Sequence, residues 1–114
     1  MSKRADKDLL SDIKESILRI NRYSDKVTYA EFMRDTKIQD AVVRNIEIIG
    51  EAVKNLSEAE RRKYPKVPWK ELAKMRDRLI HHYFGVNYEI VWSIIREELP
   101  NIAAGLKMSS GGLK

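Results

Sequence analysis

An all-α fold, an antiparallel helical bundle with short accessory helices, follows from three features of this 114-residue sequence. Apolar residues recur at three- and four-residue steps through four separate segments, the helical period. The segments are divided by short runs carrying helix caps or prolines, as in a bundle. No stretch alternates apolar and polar residues as a half-buried strand would.

The first helix is expected from about Ala5 to Tyr23, where Leu10, Ile13, Ile17 and Ile20 share a face. Asp25 to Val27 is a break. Thr28-x-x-Glu31 is a capping box opening a short helix whose Phe32 and Met33 should plug one end of the core. Asp35 or Thr36 caps the next helix, in which Ile38, Val42, Ile46, Ile49, Val53 and Leu56 form the stripe. Gly50 interrupts that stripe and suggests close approach of another backbone. Asn45 lies beside the stripe and needs a hydrogen-bond partner. A second capping box, Ser57-x-x-Glu60, opens a short helical turn that ends before Tyr64–Pro68. From Pro68 to Gly85 one helix is expected, with Leu72, Met75, Leu79 and Tyr83 on one face and Gly85 as its terminator. Asn87 caps a last helix bearing Val91, Ile94, Ile95 and Leu99, flanked by Trp92; Pro100 kinks or restarts it, and Ile102 and Leu106 extend it. Residues 1–107 read as one domain, with a flexible tail at 108–114.

Composition narrows the function. Hydrophobic residues make up 43% of the chain and charged residues 34%, the balance of a soluble globular protein. No apolar run approaches a membrane span and the charged N-terminus lacks a signal-peptide core, so a cytoplasmic location is expected. The absence of cysteine excludes disulfides and thiolate zinc sites and fits a reducing compartment. Without a Gly-rich phosphate loop, the P-loop and dinucleotide-fold readings fall away. A net charge of +5 favours an anionic partner, nucleic acid above all. Lys3, Arg4, Lys7, Arg61, Arg62 and Lys63 are expected to be solvated cations that could also guide RNA. Glu47 and Glu51, one turn apart, could hold a metal, but no histidine lies beside them in sequence; no metal or cofactor is expected. Trp69 and Trp92 read as core or dimer contacts.

The most informative spacing is Arg76-x4-His81-x-Tyr83. An imidazole can move a proton to or from a ribose 2′-hydroxyl or a leaving oxygen near neutral pH. A guanidinium can hold a phosphate through paired hydrogen bonds and stabilise the charge of a transition state. Alone, this spacing is weak; Arg76 could equally pair with Asp77 or Glu51 at the surface. On an ideal helix Arg76 and His81 stand about 140° apart. Either the helix loosens before Gly85, or the arginine reaches round, or two chains assemble the site. Tyr83, seven residues from Arg76, would share its face.

The strings Ile49-Gly50-Glu51-Ala52, Val67-Pro68-Trp69, Met75-Arg76-Asp77-Arg78-Leu79-Ile80-His81-His82-Tyr83 and Phe84 to Trp92 resemble the HepT-like ribonucleases of the HEPN superfamily. These are the toxin halves of toxin–antitoxin pairs (type VII) with minimal nucleotidyltransferases. The resemblance runs through most of residues 8–107. It implies an all-α homodimer with a metal-independent endoribonuclease site in which Arg76 and His81 are catalytic. Glu51, Arg78 and His82 are supporting candidates. It also implies a nucleotidyltransferase antitoxin that adds AMP to Tyr83, and an RNA substrate. His82 stands where the family commonly has glycine, which leaves open which imidazole is used. Trp92, Ile94, Ile95 and the glycine-bearing third helix offer apolar surface for the dimer. The alternative is a non-catalytic helical module that binds a nucleotide or a partner.

Overall fold

The computed structural model describes residues 4–81 and 85–108, and at position 81 the backbone alone. His82, Tyr83 and the tail from residue 109 onward lie outside the described residues.

The architecture is the expected helical bundle. Helix α1 (Asp6–Ser24) buries Leu9, Leu10, Ile13, Ile17 and Ile20. Its main neighbour is α3 (Thr36–Asn55), which turns Val42, Ile46, Ile49 and Val53 inward. The two run antiparallel, because Asp6 at the start of α1 grips Ser57 just beyond the end of α3. Between them α2 (Tyr29–Arg34) begins with the full Thr28–Glu31 capping box. Phe32 is sealed in the core, but Met33 is exposed; on so short a helix, adjacent residues point to different sides. Asp35 caps α3 by accepting from the N–H groups of Lys37 and Ile38.

The Ser57 box is only half formed. Ser57 Oγ accepts from Glu60 N–H at 3.1 Å, opening α4 (Glu58–Arg62). The return bond comes instead from Asp6, whose Oδ1 accepts the Ser57 N–H at 2.9 Å and whose Oδ2 accepts the hydroxyl at 2.6 Å. Glu60 is left to pair with Lys63. Arg61 departs from the solvated role expected of it: its Nη2 donates to the Val53 carbonyl near the end of α3 at 2.6 Å. It adds a second bond to a carbonyl in the last turn of the helix that also accepts the Leu56 N–H at 3.2 Å.

The central stretch is not one helix. It divides into α5 (Trp69–Ala73) and α6 (Met75–Leu79), separated at Lys74, where φ is −101° and ψ is 6°. The chain then straightens into a minimal antiparallel pair, β1 (Ile80–His81) and β2 (Gly85–Val86), with Ile80 opposite Val86 and His81 opposite Gly85. Strands of two residues are too short to leave an alternation in sequence. Gly85 takes the left-handed φ expected of it, +76°, but in the hairpin and not after a helix. The Asn87 N–H donates to the Leu79 carbonyl at 2.6 Å, closing the excursion on the last residue of α6.

Asn87 then caps α7 (Tyr88–Ser93), as expected. A π-helical segment, Ile94–Glu98, connects α7 to α8 (Leu99–Gly105). Leu99 N–H reaches back five residues to the Ile94 carbonyl. Pro100 follows, lacks an N–H and would crowd the carbonyl four residues earlier in a regular helix, so the widened turn accommodates it. Ile94 and Ile95 are buried in the core of the single chain and are not spare dimer surface. Among the described residues no helix is long and apolar enough to cross a membrane.

Candidate functional site

The site is built where α6 meets α3. At five residues α6 is far below the length at which a helix is stable alone, so tertiary contacts fix its direction. Met75 and Leu79, fully buried, anchor one side against the core, together with Leu72 of α5. Burial of side chains of this size stabilises by roughly 1.5–3 kcal/mol each. Ion pairs to two different elements then hold the polar side.

Arg76 points outward, with 54% of its side chain exposed. Its Nε donates to Glu47 Oε2 of α3 at 3.1 Å. The partner is therefore Glu47, not Glu51 or Asp77. Glu51 lies one turn further along α3, exposed, and makes no bond to Arg76. Glu47, one turn before Glu51, was not among the partners the sequence suggested, because which carboxylate of α3 meets Arg76 depends on how far along α3 the short α6 lands.

Arg78 is fully engaged elsewhere. Its Nη1 and Nη2 donate to Glu98 Oε1 and Oε2 at 2.7 and 2.8 Å. The bond to Glu98 raises its pKa above the usual arginine value. Glu98 belongs to the π-helical segment and carries no motif that would single it out. A guanidinium already committed to a bidentate carboxylate is a clamp for α6 and not a ready phosphate ligand.

His81 follows α6 after one intervening residue, Ile80, and lies on extended backbone. Of the three arrangements open to the sequence, the helix does leave its course before Gly85, so the 140° separation does not apply. α6 ends at Leu79, and the expected placement of Tyr83 on the face of Arg76 falls outside the described residues. The side chain of His81, and His82 and Tyr83 entirely, lie outside the described residues. Ile80, 38% exposed, stands between α6 and His81.

Other expectations resolve nearby. A methyl at Gly50 would lie 3.6 Å from the Leu72 carbonyl oxygen, so the backbone of α5 does approach this glycine. Asn45 finds its partner in the Ala41 carbonyl at 2.9 Å. Trp69 is partly buried, its Nε1–H shared between the carbonyls of Arg61 and Tyr64, which ties the preceding loop to α5. Trp92 packs on Phe32 and Tyr29, with the Arg96 guanidinium 4.3 Å from its ring centroid. Among the described residues no three histidine, aspartate or glutamate side chains converge as metal ligands would.

A family model described as "Ribonuclease HepT-like" matches residues 13–108. Among curated proteins, "Putative RNase MJ0127" of Methanocaldococcus jannaschii is 50% identical over 101 residues, covering 89% of this chain and 84% of the relative. "Probable ribonuclease HepT" of Thermococcus cleftensis is 44% identical over 100 residues, 88% of this chain and 91% of the relative. "Putative RNase TTE0752" of Caldanaerobacter subterraneus is 52% identical over 81 residues, 71% of this chain and 72% of the relative. No solved structure gives a significant match.

Proposed function

This chain belongs to the HepT-like ribonuclease family, and from that premise we propose that it is a metal-independent endoribonuclease, the toxin of a type VII toxin–antitoxin pair. The observation that carries the reading is the placement of Arg76. It stands exposed on a short, firmly anchored helix, held through Nε, and the extended strand Ile80–His81 follows that helix.

In the proposed reaction an imidazole takes the proton of a ribose 2′-hydroxyl. The 2′-oxygen bonds to the adjacent phosphorus, the bond from phosphorus to the 5′-oxygen breaks, and that oxygen is protonated as it leaves. The products are a 2′,3′-cyclic phosphate and a 5′-hydroxyl. Arg76 binds the non-bridging oxygens and stabilises the charge that accumulates on them. His81 is the assigned imidazole. The site is proposed to operate in a homodimer, with the exposed Ile80 and α6 near the two-fold axis.

Incubation of RNA with excess EDTA tests this. Wild type should cleave, while Arg76→Ala and His81→Ala should not, although all three remain folded. Loss of activity in His82→Ala with retention in His81→Ala would reassign the imidazole. Loss in EDTA would reject the metal-independent mechanism. RNA binding without cleavage by wild type would favour the helical binding module. Sedimentation showing only monomer at micromolar concentration would reject the dimer.

Regulation is proposed to act at Tyr83. A cognate nucleotidyltransferase would drive the phenolic oxygen onto the α-phosphorus of ATP, forming the tyrosyl–AMP bond and releasing pyrophosphate. The new phosphodiester would occupy an arginine otherwise available to RNA. Intact-mass and peptide mapping of the co-expressed pair test this; an unmodified Tyr83 in a neutralised toxin would leave occlusion by the partner.

A further inference from the structure

We infer that Glu47 is the positioning residue for Arg76, fixing one edge of the guanidinium so that the other is presented to an RNA phosphate. This rests on the ribonuclease reading above and adds a residue to it.

The geometry separates this role from an ordinary surface ion pair. A guanidinium has two usable edges: the side edge carrying Nε–H, and the fork formed by its two Nη groups. Arg78 shows the second in use, both Nη groups being spent on Glu98. Arg76 shows the first. Glu47 accepts from Nε at 3.1 Å, and among the described residues neither Nη group has a hydrogen-bond partner. The fork suited to paired contact with two phosphate oxygens is therefore left free.

The scaffolding points the same way. Glu47 is set in the middle of α3, and only 35% of its side chain is exposed. Its neighbour Ile46 is buried, so the backbone that carries the carboxylate is fixed by the core. Arg76 sits on a five-residue helix and projects into solvent. Without an anchor, a long side chain at such a position samples many rotamers, and phosphate binding would have to order it. An exposed pair of this kind contributes little to stability. Its consequence is orientation, which is what transition-state binding requires.

Steady-state cleavage of an oligoribonucleotide by wild type, Glu47→Ala, Glu47→Gln, Arg76→Ala and the Glu47→Ala/Arg76→Ala double variant tests the assignment. Glu47→Ala should lower kcat by about 100-fold with a much smaller change in KM, the scale of loss expected from misplacing a catalytic group. Glu47→Gln keeps an oxygen that accepts the Nε–H bond and should stay within about tenfold of wild type. In the Arg76→Ala background, Glu47→Ala should cause no further loss. Melting temperatures should agree within about 4 °C, showing that stability is not the cause. Wild-type turnover in Glu47→Ala, or losses that multiply in the double variant, would overturn the inference. If wild type fails to cleave, the ribonuclease reading fails, and binding of the 2′-deoxy oligonucleotide of the same sequence decides for Glu47. Weaker binding in Glu47→Ala only when Arg76 is present would support positioning of a phosphate ligand. Equal binding with and without Glu47, or no binding by wild type, would overturn it.

Discussion

Arg78 and Glu98 meet through two parallel hydrogen bonds of 2.7 and 2.8 Å, which join α6 to a π-helical segment twenty residues further along the chain. Planar bidentate pairs are the strongest ion pairs proteins make, but this one is about one-third exposed on both sides, which screens it. Arg78→Ala or Glu98→Ala should therefore each cost about 0.5–1 kcal/mol in urea unfolding. The double variant should cost scarcely more than either alone, because both remove the same contact. Independent addition would mean that the pair contributes nothing beyond its separate side chains.

A second long-range clamp, Asp6 on Ser57, gives a pH signature. Hydrogen bonds from the Ser57 hydroxyl and then its backbone N–H, in that order of weight, hold the Asp6 carboxyl below its ordinary 3.8. Glu31 in the Thr28 capping box is likewise lowered, by the Thr28 N–H and hydroxyl. A group whose pKa is lower folded than unfolded contributes stability that is present above the unfolded value. That stability disappears as pH falls through the folded one. Melting temperature should hold steady from pH 7 toward the ordinary carboxylate range and then decline. In Asp6→Asn that acid limb should be shallower, with a lower plateau at neutral pH. An unchanged slope in Asp6→Asn would show that the clamp does not titrate with folding.

The bundle was legible because the information that fixes it is local. The period of Val42, Ile46, Ile49 and Val53, the Thr28 box and the Asp35 and Asn87 caps each act within a turn or two, and the structure has each where the spacing put it. The site was legible in its residue types more than in its geometry. Leu72, Met75 and Leu79 do share the buried side, but α5, α6 and the hairpin are directed by contacts from elsewhere: α3 beneath Gly50, Glu98 across from Arg78, Asn87 on the Leu79 carbonyl. None of those partners is close in sequence to the residue it controls except Asn87. The same limit explains why Asp6 could not be foreseen as completing the Ser57 cap, fifty-one positions away.

Gly50 tests how demanding the α3–α5 contact is. The position a methyl would take lies 3.6 Å from the Leu72 carbonyl oxygen, an ordinary contact distance, and Gly50 is not among the residues with positive φ. Alanine should fit, and helix propensity should then favour it by up to about 1 kcal/mol. Gly50→Ala is expected to melt higher than wild type with cleavage retained. A lower melting temperature would mean that α5 cannot yield the space and that the glycine is needed for the approach.

Arg76→Lys separates charge from shape. Lysine keeps the positive charge but offers one ammonium point in place of two edges. An ammonium drawn to Glu47 has no second, separately directed pair of donors for a phosphate, whereas the Arg76 guanidinium holds Glu47 through Nε and leaves its Nη fork uncommitted among the described residues. Removing a preorganised donor to a developing oxyanion costs about 10²–10³ in kcat. Arg76→Lys should therefore fall nearly as far as Arg76→Ala in single-turnover cleavage, while its RNA affinity, measured with an uncleavable 2′-deoxy oligonucleotide, stays closer to wild type because the charge remains. If Arg76→Lys kept more than about a tenth of the wild-type rate, the forked geometry would not be what the site uses, and Arg76 would act as a point charge alone.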